Sequence, residues 1–291
     1  MPDYSITELD ISNKKLTKLP KDIYKYTNLE ILNCCGNNLT SLDNLQPKLK
    51  NLNCCGNNLT SLDNLPPTLK KIECSGNKLT SLDNLLPTLE ILYCSYNDLT
   101  SLDNLPLTLE MLYCYNNQIT SLDNLPSTLK KLYCFDNQIT SLDNLPTKLE
   151  VLSCCNNKIT SLDNLEGKAA PSSVPLPLTK SRELEGLKPS LPPTLKTLFC
   201  RSNKLTNLDN LPPTLEILYC SSNKLTSLDN IPSTLKELDC INNPFTYDFE
   251  PTLENIRNYN ASRIAKFNKK VNKNTLTILF NNHTSNFTSH I

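Results

Sequence analysis

The sequence predicts a solenoid: stacked rungs with one parallel β-sheet on the concave side, a mostly non-helical convex side, and a helical C-terminal cap. Three observations carry this. A 20-residue block recurs with almost no drift, as in LKKIECSGNKLTSLDNLLPT (69–88) followed by LEILYCSYNDLTSLDNLPLT (89–108), and self-similarity at such a fixed period marks repeat architectures. Within each block two core-type residues stand two apart, such as Ile72 and Cys74, the alternation of a strand with one face buried. About half a rung remains to cross the convex side and return, and prolines such as Pro66 and Pro67 oppose a helix there.

The N-terminal unit, 1–28, is a capping repeat. Its repeat portion, Ile6 to Asn28, is 23 residues long, with a longer convex crossing in LPKDIYKYTN and Lys14 where later rungs carry Asn. Regular rungs follow over 29–165 and resume over 192–251, making 11 units in all. Burying six side chains per rung contributes about 1.5–3 kcal/mol each. Ordering the backbone costs about 1–2 kcal/mol per residue, so a lone rung is unstable and stacked rungs, which share faces, are stable.

Between the two arrays, Cys154 to Cys200 spans 46 residues, one period plus 26. The surplus, 166–191, is rich in Pro, Ser and charge, and reads as a flexible insert on the convex edge. It is either a passive loop or a docking segment, and a point where the solenoid can divide into two stacks with a hinge. After NNPFTYDF the period changes. Leu253, Ile256, Ile264, Phe267 and Val271 suit one helical face, so 252–280 is expected to cap the last rung, with TLTILF at 275–280 as a strand or packing segment. The opposite face carries Arg257, Arg263, Lys266, Lys269, Lys270 and Lys273, a solvated face or a docking site for an anionic partner. The tail, 281–291, is expected to be disordered.

Composition excludes several function classes. Lys plus Arg equals Asp plus Glu at 29 each, so there is no general attraction to nucleic acid or anionic membrane. No apolar run reaches the ~18 residues of a bilayer span. The opening MPDYSITELD has neither the basic nor the apolar region of an export signal, which predicts a cytoplasmic protein. GxSxG, P-loop, HExxH and GxGxxG patterns are missing from the sequence. The expectation is a non-enzyme without cofactor or metal.

Ten of the 13 cysteines share one repeat position, from Cys34 to Cys240, and read as reduced core residues. Cys35, Cys55 and Cys155 follow them and are expected as exposed thiols on the concave face. The LDN triplets, from Asp43 to Asp229, form an aspartate row that suits turn chemistry better than calcium. Asn37, Asn57, Asn77, Asn97, Asn117, Asn137, Asn157, Asn203, Asn223 and Asn243 form a structural ladder, each amide serving its own turn and the next rung's.

The outward concave positions are where a repeat protein varies its contacts. The central one reads Asn33, Asn53, Glu73, Tyr93, Tyr113, Tyr133, Ser153, Phe199, Tyr219, Asp239. With rungs ~4.8 Å apart, Tyr93, Tyr113 and Tyr133 stand side by side, and Tyr115 and Phe135 extend the patch. These residues, with Phe199 and Tyr219, are the candidate partner-binding set, because Tyr gives a large contact area at low entropic cost. Aromatics stacking along a sheet only to support one another is the alternative.

The frame LxxLxCxxNxLxxLxxLPxx, carried by Leu69, Ile72, Cys74, Asn77, Leu79, Leu82 and Leu85, is similar to the leucine-rich repeat. The stretch LDNLPPTLKKIECSGNKLTSL resembles the short repeats of bacterial effectors, some of which append a ubiquitin-ligase domain. The Cys-for-Leu core position and the LTSLDNLP wording resemble leucine-rich repeat proteins of giant amoebal DNA viruses (mimivirus-like). The resemblance covers roughly 6–251. It implies partner recognition, by a viral protein acting on a host protein in the host cytoplasm if the second likeness holds. It does not extend to ligase activity in cis, since the last cysteine, Cys240, lies inside a rung. The alternatives are a structural or self-assembling component, and a substrate adaptor for a ubiquitin-type enzyme supplied in trans.

Overall fold

The structure, a computed structural model, describes residues 2–162, 191–229 and 231–266. Nearly all of the 166–191 insert, the 275–280 segment, the tail and the last part of the C-terminal cap lie outside the described residues.

Among the described residues, eleven three-residue strands form one parallel sheet in sequence order. They are β1 (Glu8–Asp10), β2 (Ile31–Asn33), β3 (Asn51–Asn53), β4 (Lys71–Glu73), β5 (Ile91–Tyr93), β6 (Met111–Tyr113), β7 (Lys131–Tyr133), β8 (Val151–Ser153), β9 (Thr197–Phe199), β10 (Ile217–Tyr219) and β11 (Glu237–Asp239). One strand per unit matches the 11 units read from the sequence. Each strand's central residue faces the core, while the first and third face outward and are half-buried along most of the sheet. The pairing extends past the strands: Cys94 N–H donates to Tyr113 O at 2.8 Å and Tyr96 N–H to Tyr115 O at 3.0 Å.

In each rung the core consists of the frame residues. Leu89, Leu92, Cys94, Leu99, Leu102 and Leu105 are all buried. The ten core cysteines are buried and unpaired. Removal from water pushes their thiols up, Cys34 and Cys94 to about 12 and Cys240 to about 11. Cys35, Cys55 and Cys155 are half-buried, which corrects the expectation of exposed thiols: they stand on the open face in the same row as Tyr115 and Phe135, between neighbouring rungs.

The convex side is turns and extended chain, apart from a 3-10 turn, Ile23–Lys25, in the N-terminal unit, which buries Ile23. Two side-chain ladders tie the rungs together. Asn137 is representative of the first. Its Nδ2 donates to Cys114 O at 3.0 Å, Cys134 O at 3.1 Å and Phe135 O at 3.3 Å, and its Oδ1 accepts from Ile119 N–H at 2.9 Å. The amide therefore serves its own turn and the preceding rung, not the following one, because the chain leaves the strand against the rung already built. The second ladder is threonine. Thr128 Oγ1 lies 2.8 Å from both Leu107 O and Leu109 O, and Thr68, Thr88, Thr108, Thr194, Thr214 and Thr234 repeat the arrangement.

The sheet does not divide at the insert. β8 pairs with β9 in register, and Cys154 N–H donates to Phe199 O at 2.8 Å, so the sheet runs unbroken past the point where the sequence allowed a division into two stacks. Leu191, assigned to the insert from its register, is 2% exposed and lies in the core. It precedes Pro192 as Leu145 precedes Pro146, so the rung resumes one residue earlier than the sequence register placed it.

At the C-terminal end a helix, α1, covers 253–266. Ile256 on its inner face is fully buried, Asn260 Nδ2 donates to Leu228 O at 2.9 Å, and Arg257 donates to the Ser233 and Leu235 carbonyls. Ile264 was expected on the buried face but is 61% exposed. The inward side of that turn is taken by Asn260 and by Arg263, which pairs with Asp229 at 2.6 Å. Phe245, Tyr247, Phe249 and Tyr259 pack together between the last rung and α1.

Candidate partner-binding surface

The open face of the sheet has three rows: the first and third residues of each strand, and the residue two further on. Parallel register places like residues of adjacent strands side by side. Tyr93 and Tyr113 stack at 4.3 Å between ring centroids and 8° between planes, and Tyr113 and Tyr133 at 4.3 Å and 4°. In the next row Tyr115 and Phe135 stack at 4.2 Å. All five are half-buried. Rings that stack along the sheet cover one another's faces and leave edges and hydroxyls open. Burial pushes the Tyr113 and Tyr133 hydroxyls above their ordinary value, and the neighbouring tyrosine hydroxyls add to this.

Phe199 and Tyr219 do not join this stack. Ser153 of β8 stands between Tyr133 and Phe199 in the register. Phe199 and Tyr219 lie tilted at 42°, the Arg201 guanidinium sits 4.5 Å from the Tyr219 ring, and Tyr219 Oη donates to Glu237 at 2.9 Å. Arg201 also pairs with Asp239 at 2.5 Å. That pair of rings already has charged partners within the chain. The β5–β7 stack meets such a partner at its β4 end, where the Lys71 ammonium lies 5.3 Å from the Tyr93 ring, while Tyr113 and Tyr133 lie beside Met111 and Lys131.

Three contributors were not read from the sequence. Ile91 and Met111 occupy the first row beside the tyrosines and are half-buried. Strand alternation places them there, but the sequence reading weighed only aromatics. The third is Tyr96, 57% exposed, with its ring edge-on to Tyr115 at 5.4 Å. It stands at the corner after the strand, where the chain turns in the left-handed region. That corner is Asn13, Gly36, Gly56, Gly76, Tyr96, Asn116, Asp136, Asn156, Ser202, Ser222 and Asn242, with φ between 52 and 66°. Glycine and small polar residues tolerate such angles; a tyrosine there is strained.

The aspartate row serves turns. Asn44, Asn64, Asn84, Asn104, Asn124, Asn144 and Asn210 all have positive φ, Ser61 Oγ donates to Asp63 at 2.6 Å, and Asn84 Nδ2 donates to Asp63 at 3.2 Å. Among the described residues no group of three or more His, Cys, Asp or Glu is placed to hold a metal ion.

A family profile, leucine-rich repeats in two copies, matches residues 87–127, 107–147 and 127–167. None of the curated protein sequences matches the chain. Among solved structures, YopM from Yersinia enterocolitica WA-314 is 33% identical with a TM-score of 0.64, covering 77% of this chain and 45% of that one. The chain thus spans under half the length of the Yersinia protein. An internalin, InlF, from Listeria monocytogenes is 23% identical with a TM-score of 0.64, over 82% of this chain and 68% of that one. A chain from an octameric complex of Latrophilin 3, Unc5D and the leucine-rich repeats of FLRT2 is 23% identical with a TM-score of 0.65, over 85% and 78%. The chain therefore has the leucine-rich repeat fold, and over most of its length it resembles part of the Yersinia protein YopM.

Proposed function

We propose that this protein is a non-enzymatic interaction scaffold that binds a protein partner on its open, concave face over β5–β8. One observation carries the reading: Tyr93, Tyr113, Tyr133, Tyr115 and Phe135 are set side by side on a pre-ordered sheet, with Tyr96 held at their rim in a strained backbone. A rigid surface loses little entropy on binding, and clustered tyrosines are typical of interface hot spots. The fold supports the reading, since leucine-rich repeats commonly bind proteins.

The wording of the repeat extends the proposal to a viral protein engaging a host protein in the host cytoplasm. Affinity capture from host cytosol, comparing wild type with Tyr93→Ala/Tyr113→Ala/Tyr133→Ala, tests both parts. A partner lost from the folded variant supports the site, and mass spectrometry then names it. Equal capture by both chains refutes the site.

A self-assembling reading is favoured by one feature: among the described residues β1 pairs with β2 alone, leaving an open sheet edge. Concentration-dependent association of the purified chain would distinguish it. The adaptor reading through the basic helix has less support, because Arg257 and Arg263 are already engaged by the last rungs.

A further inference from the structure

Over β5–β8 the three open rows carry a single charged side chain. Ile91, Met111 and Val151 fill the first row of β5, β6 and β8, but β7 begins with Lys131. Register pairs Lys131 with Met111 on one side and Val151 on the other, and it shares a face with Tyr133 two residues along. Among the described residues it forms no ion pair. The other two cations on this face are matched within the chain, Lys71 by Glu73 at 2.6 Å and Arg201 by Asp239 at 2.5 Å. From β5 to β10 the three open rows hold no carboxylate that can reach Lys131 from the same face.

A partner that lays apolar side chains over the ring edges of Tyr113 and Tyr133 also strips water from Lys131. An ammonium desolvated without a counter-charge opposes binding strongly, whereas a matched carboxylate offsets that cost and fixes register. Resting on the concave-face reading above, we infer that the partner segment seated on β5–β8 is an extended acidic–apolar peptide. Its Asp or Glu carboxylate pairs with Lys131 while adjacent apolar side chains pack on Tyr113, Tyr133 and Met111. The geometry also sets a spacing. Met111, Lys131 and Val151 follow at rung intervals of about 4.8 Å, so the acidic residue lies within one or two residues of its apolar neighbours.

The test is selection from a random peptide display library on the full-length chain, followed by affinity measurement with the best synthetic peptide. Wild type is expected to enrich peptides with an Asp or Glu within two residues of an aromatic or aliphatic one. Lys131→Gln should weaken the best peptide at least about tenfold, and Lys131→Glu more, with Lys131→Glu selecting basic peptides instead. Lys131 faces solvent, so both variants should keep the wild-type denaturation midpoint. Tyr113→Ser separates the two levels of the account. Peptides that Tyr113→Ser abolishes, but that carry no acid and ignore both Lys131 substitutions, overturn the inference and leave the concave-face reading standing. Peptides indifferent to Tyr113→Ser, or no peptide selected at all, overturn both.

Discussion

Tyr96 is where backbone and surface disagree. Its φ of 54° is imposed by the rung, because every unit turns at this corner with a positive φ. The left-handed conformation costs a residue with a side chain about 1–2 kcal/mol. Tyr96→Gly should therefore raise stability by about 1 kcal/mol, seen as a higher urea midpoint, while weakening capture of the partner. A variant that gains stability and keeps full binding would remove Tyr96 from the site. Asn137 shows the opposite balance. Its amide bonds three carbonyls and one N–H inside the fold, so Asn137→Ala should cost about 1–3 kcal/mol, and an unchanged denaturation curve would refute that role. The asparagine row was legible because one residue type recurs at one period. Tyr96 was not, since nothing in SYN announces a left-handed corner until the rungs are stacked and ten other units show what belongs there.

At the scale of elements, the strands were legible from alternation and the convex crossing from its prolines. The threonine ladder was visible as the recurring T of PPTLK, but its acceptors were not. The carbonyls at Leu107 and Leu109 lie a full rung behind Thr128, and sequence spacing alone does not say which way a hydroxyl turns. The C-terminal helix was read from apolar spacing, which located Ile256 correctly and Ile264 wrongly. Polar anchors take the inward face at Asn260 and Arg263, and an apolar-only periodicity does not register them. Ile256 is the apolar plug, 0% exposed. Ile256→Ala should destabilise by about 2–5 kcal/mol, measured by chemical denaturation. A loss under 1 kcal/mol would show that α1 is not closing the core.

At the scale of the whole molecule, the described residues build one continuous sheet backed by a column of buried thiols. Burial holds them protonated in the folded chain, with Cys94 pushed from 9.0 to about 12. In the unfolded chain thiols ionise near their ordinary value. The unfolded state therefore releases protons first as pH rises. The stabilisation is fully present below about pH 9 and is lost as pH climbs toward 12. Urea midpoints should fall steeply across that window, and less steeply in Cys94→Ala. A flat profile from pH 9 to 12 would contradict a buried thiol column.

The central claim is that the open face over β5–β8, and no other surface, meets the partner. Placing the photo-crosslinking residue p-benzoylphenylalanine at Tyr133, and separately at Leu107, whose side chain is 78% exposed outside the sheet face, tests it most directly. Crosslinked partner from position 133 and none from position 107 is the predicted result. Crosslinking from position 107 with none from 133 would contradict the account and move the interface off the sheet.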